Sequence, residues 1–151
     1  MGTGPIYGHI KGTGHGNRQT IASGEYFSAK GGRFVYMSAG SAYLIDATTY
    51  EIAGWADAGK VEGYTKAYFL SDSNSDALIM NGAEDVFRMP GSTAVTTSDI
   101  GKTYDLTISG STVTTIQQVN NDGTTVSGGQ VVVVAVDAED VSEQTLQVRI
   151  A

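Results

Sequence analysis

Gln130-Val131-Val132-Val133-Val134-Ala135-Val136-Asp137 is followed, across a short acidic segment, by Glu143-Gln144-Thr145-Leu146-Gln147-Val148-Arg149-Ile150. The first stretch is a continuous β-branched run, apolar on both faces, which predicts a central strand. The second alternates, with Leu146, Val148 and Ile150 on one face and Gln147 and Arg149 on the other. A period of two is the mark of a strand with one buried side.

The same signals recur upstream. Arg33–Met37 and Ala42–Ile45 flank the turn Ser38-Ala39-Gly40-Ser41 and predict a hairpin. Further strands are expected at Tyr50–Asp57, Lys66–Leu70, Ala77–Met80, Asp85–Met89, Thr103–Ile108 and Thr112–Val119. Pro90 should stop the strand that begins at Asp85. Thr97–Gly101 has the pattern of one helical turn ended by glycine. About ten strands at this spacing predict an all-β fold, a single β-sandwich or small barrel.

Residues 1–24 look different. They carry seven glycines and only scattered apolar residues, and predict an extended arm ahead of a body at 25–151. Such an arm reaches up to ~80 Å at about 3.3 Å per residue. Ile6, Tyr7, Ile10, Lys11, Arg18 and Ile21, with Tyr26 just beyond, are its candidate partner-binding residues.

Charge divides along the same line. Residues 1–33 carry a net of +3, whereas residues 34–151 carry −10, making the −7 of the chain. An acidic body disfavours nucleic acid, because neutralising phosphates takes a Lys/Arg surface. A basic arm suits an acidic protein surface, such as a neighbouring copy. The longest apolar run, Val131–Val136, is far shorter than the ~20 residues of a membrane-spanning helix. No basic, then apolar, secretory leader opens the sequence, and there is no cysteine, so a reducing cytoplasm is the expected place of synthesis.

Candidate chemistry is thin. His9 and His15 both fall in the glycine-rich arm, where no rigid shell would hold a catalytic base or a metal. Gly12-Thr13-Gly14-His15-Gly16 lacks the strand and helix of a dinucleotide fingerprint. Gly101-Lys102-Thr103 lacks the earlier glycine of a phosphate loop. Asp72-Ser73-Asn74-Ser75-Asp76 resembles half of a calcium loop, but Ala77 stands where glycine belongs and no glutamate closes it. The expectation is no catalytic residue, no metal and no cofactor. Phe34, Trp55 and Phe69 are candidate core aromatics, whereas Tyr7, Tyr26 and Tyr64 sit among glycines and polar residues and suit an interface.

Three groups of residues carry a resemblance. They are Gly31–Tyr36 with Asp46-Ala47 and Gly54–Asp57; Asp85–Pro90 with Ile100–Leu106; and Val131–Asp137 with Thr145–Ile150. Together with size, β content and lack of cysteine, they make the chain similar to head decoration, or cement, proteins of tailed bacteriophages. The resemblance implies a non-enzymatic protein on the capsid surface of the virion, made in the host cytoplasm. It implies a homotrimer bound to the major capsid protein; the charge and the short apolar runs add the expectation of no nucleic-acid and no membrane partner. The alternative is a carbohydrate- or receptor-binding module of a phage fibre or adhesin, using exposed Trp55 and tyrosines beside acidic loops.

Overall fold

In the computed structural model, described for residues 8–28, 31–57, 68–111, 115–122, 129–137 and 145–151, the Val-rich stretch becomes β13 (Val131–Val136). It lies between β14 (Thr145–Ile150) and the short β10 (Thr103–Tyr104). On the far side of β14 come β9 (Val86–Pro90) and then β1 (Gly8–Lys11), completing an antiparallel sheet in the order β1-β9-β14-β13-β10. Strand β13 is interior as expected, but only one of its faces is covered. Val131 and Val133 are buried, Val132 is half-buried and Val134 is 36% exposed. The register slips between Val133 and Ala135, and this bulge breaks the alternation that the run of valines had hidden. Of the expected strands, residues 66–67, 112–114 and 143–144 lie outside the described residues.

A closed five-stranded barrel packs on the inner face of this sheet. Around it run β2 (Gly16–Ile21), β5 (Ser41–Leu44), β4 (Phe34–Ser38), β6 (Gly54–Ala56) and β8 (Asp76–Met80). All neighbours are antiparallel except β2 and β5, which pair in parallel at Thr20–Ser41 and Ile21–Ala42. Two small pairs complete the set: β3 (Tyr26–Ser28) with β7 (Tyr68–Leu70), and β11 (Leu106–Ser109) with β12 (Ile116–Val119). The expected helical turn is a 3₁₀ turn at Thr97–Asp99, followed by Gly101 at φ +88°.

Alternation along the barrel strands supplies two cores. Ile21, Val35, Ala42, Leu44, Ala56, Ala77 and Ile79, with Phe27, fill the barrel. The next residues along three of the same strands, Phe34, Trp55 and Met80, point the other way and meet Phe87, Met89, Val133, Leu146 and Val148 of the sheet. At that junction Trp55 stacks on Phe87 at 4.9 Å, and Phe34 sets its edge against both rings. Phe34 and Trp55 are core residues, as their sequence context predicts; Phe69 is half-buried against the barrel core.

The boundary expected at residue 24 is absent. Among the described residues, 8–24 belong to the body: β1 edges the sheet and β2 closes the barrel between β5 and β8. Two of its glycines serve close approach rather than slack. A Cβ at Gly16 would lie 1.9 Å from the Ile79 carbonyl oxygen, and one at Gly12 would lie 2.3 Å from Asp85 Oδ1. Only residues 1–7 of the expected arm fall outside the described residues.

Candidate functional site

Among the described residues, the candidate partner-binding side chains differ in burial and in the element that carries them. Ile21 is 1% exposed inside the barrel and is a core residue, not a contact residue. Ile10 is half-buried in β1, Lys11 is exposed, and exposed Arg18 forms an ion pair with Asp76 on β8. Tyr26 is half-buried against Tyr68, their centroids 5.7 Å apart. Ile6, Tyr7 and Tyr64 lie outside the described residues.

His9, placed by its sequence context in an arm without a rigid shell, is docked. Its Nε2 lies 3.1 Å from Oδ1 of Asp85, a carboxylate 1% exposed, and its ring packs on Phe87. The same Oδ1 accepts the Gly14 N–H at 3.0 Å, and Oδ2 accepts the Gly82 N–H at 3.1 Å. Asp85 therefore fastens the 12–14 loop to the turn before β9, a role invisible in sequence because two of its partners, His9 and Gly14, lie 76 and 71 residues away. Other buried polar side chains are spent similarly. Gln117 exchanges hydrogen bonds with both backbone groups of Phe34 and donates to the Ile45 carbonyl. Asp99 accepts from the Thr96 N–H and the Tyr104 hydroxyl. Burial first, and then this bond to Asp99, pushes the Tyr104 phenol up to about 12.

The loop read as half a calcium site folds on itself. Asp72 Oδ1 accepts from Asn74 N and Ser75 Oγ, while Asp76 is taken by Arg18. Asp137 holds Arg88, Thr145 and Gln147 within 3.0 Å. Burial pushes its carboxyl up, but hydrogen bonds from Thr145, Arg88 and Gln147 outweigh this and hold it below the ordinary aspartate range. Among the described residues, no group of three or more His, Cys, Asp or Glu is placed to hold a metal ion.

Trp55, expected at the surface in a glycan-binding module, is 1% exposed. Tyr43, Tyr36 and Tyr50 form a stack instead, with spacings of 5.3 and 3.8 Å. Tyr36 is pushed up to about 12, first by its hydrogen bond with Tyr50 and then by burial.

A recess opens beside this stack. Gly24, Glu25, Tyr26, Leu44, Asp46, Ile108 and Thr115 line a space of about 200 Å³. That is smaller than the roughly 300–1,000 Å³ typical of small-molecule sites. Glu25 Oε1 accepts the Leu44 N–H at 2.7 Å. Burial raises the Glu25 carboxyl above its ordinary value, the Leu44 N–H lowers it, and nearby Asp46 raises it again. Elsewhere Met37, Leu70, Ile100 and Val134 are large apolar side chains left exposed.

These features define an all-β protein in which a closed barrel is stacked on a five-stranded sheet. Comparison with protein-family models, curated proteins and solved structures returned no match.

Proposed function

We propose that this chain is a non-enzymatic structural protein that binds the outside of an assembled viral capsid and stabilises it, as decoration or cement proteins do. The observation that carries the reading is where the stretches of resemblance lie. Phe34, Trp55, Phe87, Tyr104, Leu106, Val131, Leu146 and Val148 come from all three groups and meet in one core. The buried polar side chains add support, since Asp85, Asp99 and Gln117 are engaged mainly in tying loops to the main chain. The folded body, not a lacing arm at residues 8–24, is then what meets the capsid. Its exposed apolar side chains, Met37, Leu70, Ile100 and Val134, supply small separate contacts. Repetition over a shell makes such weak contacts effective.

The test is co-sedimentation of the purified protein with expanded phage heads stripped of their decoration. Saturable binding that raises the melting temperature of the shell is expected. Absence of binding to expanded heads rejects the reading, and the solution mass establishes whether the bound species is a trimer.

A further inference from the structure

We infer that the recess between Tyr26, Leu44 and Ile108 is a seat for a basic side chain, the guanidinium or ammonium group of a partner protein. The inference rests on reading the chain as a protein binder. The walls have two characters. Tyr26, Leu44 and Ile108 contribute apolar and aromatic residues suited to a methylene stem, and the acidic residues Glu25 and Asp46 line the same space. A long cationic side chain has this make-up, an apolar stem carrying a charged head.

Among the described residues, no basic side chain lines the recess to balance the two carboxylates. Glu25 is half-buried, and the charge acting on it is that of Asp46, of the same sign. Both also act on the Tyr36 phenol in the direction that keeps its proton in place. Glu25 is the partly desolvated member of the pair and Asp46 stands exposed at its side; the two like charges repel, and a cation placed between them relieves that repulsion. Size and donor count select the kind of cation. A calcium ion takes 6–8 oxygen ligands, and two carboxylates beside apolar walls do not supply them. A volume of about 200 Å³ suits a side chain better than one bare ion or a whole sugar.

The experiment is an amide-resonance titration of the full chain with n-butylguanidinium chloride, run beside calcium chloride and n-butanol. Saturable shifts at Gly24, Leu44 and Ile108 are expected with butylguanidinium only. They should weaken at least tenfold in the E25Q/D46N variant, whose introduced glutamine amide retains an acceptor for the Leu44 N–H. Unchanged Trp55 emission would verify that the variant is folded. An equal response to calcium or butanol, or undiminished binding by the variant, overturns the assignment. A variant that loses butylguanidinium but still decorates phage heads overturns the partner role and leaves the capsid reading standing. If the wild type binds butylguanidinium yet never binds heads, the seat stands and the capsid reading fails.

Discussion

Ala39 is the one non-glycine residue with positive φ among the described residues, at 49°. With Gly40 at φ +84° it forms the two-residue turn between β4 and β5, closed by the Ser38–Ser41 pair. Such a turn asks for positive φ at both positions, where a Cβ costs roughly 1 kcal/mol and asparagine is better tolerated. Ala39→Asn should therefore stabilise the fold by about 0.5–1 kcal/mol, read as a rise in melting temperature; a fall would show the turn to be unstrained. Asp85 is the opposite case. Replacing it by alanine strands the Gly14 and Gly82 N–H groups, at a cost on the order of 3 kcal/mol. Urea denaturation measures this, and a loss below about 1 kcal/mol would mean that the loop is held by other contacts.

Two carboxyls should shape the acid limb in opposite senses. Asp137 is held below the ordinary range, so its contribution is present above the unfolded value, near pH 4, and lost as pH falls through the folded one. Glu25 is raised, so the folded state binds its proton more tightly and stability declines as pH climbs from the ordinary glutamate value to the raised one. Asp137→Asn should flatten the acid-side loss, while Glu25→Gln should raise stability at neutral pH. Denaturation midpoints from pH 3 to 7 read both.

Strand β2 shows what an element can hide. Gly16-Asn17-Arg18-Gln19-Thr20-Ile21 has no apolar alternation, and only Ile21 is buried. The strand is held by five backbone pairings to β8, Gly16–Met80 through Thr20–Asp76, which any sequence able to approach closely could make. The glycines of this part of the chain were therefore legible as freedom, whereas the structure uses two of them, Gly16 in β2 and Gly12 in the loop before it, for close approach to Ile79 and Asp85. By contrast, β4, β5, β8, β9 and β14 were legible because each carries apolar side chains that must face a core. The recess was not, because Glu25, Asp46 and Ile108 converge from separate parts of the chain. Since β2 closes the barrel, deleting residues 1–24 should abolish cooperative thermal unfolding by circular dichroism. A truncated protein that still melts sharply would restore the idea of a detachable arm.

In the whole molecule, barrel and sheet meet at the Phe34–Trp55–Phe87 cluster. Trp55→Ala should cost about 3–5 kcal/mol, and because Trp55 is the only tryptophan, its emission reports on that junction. The parallel seam of β2 on β5, and the pairing of Gln19 with Ala77, have a further consequence. The ribosome makes Ala77 some 58 residues after Gln19, a delay of roughly 3–12 s at 5–20 residues per second. Throughout that interval the leading strand has no mate on its main hydrogen-bonding edge. Its polar, uncharged-to-basic composition, poor in the apolar runs that nucleate aggregates, lets the nascent chain wait in solvent until the barrel can shut.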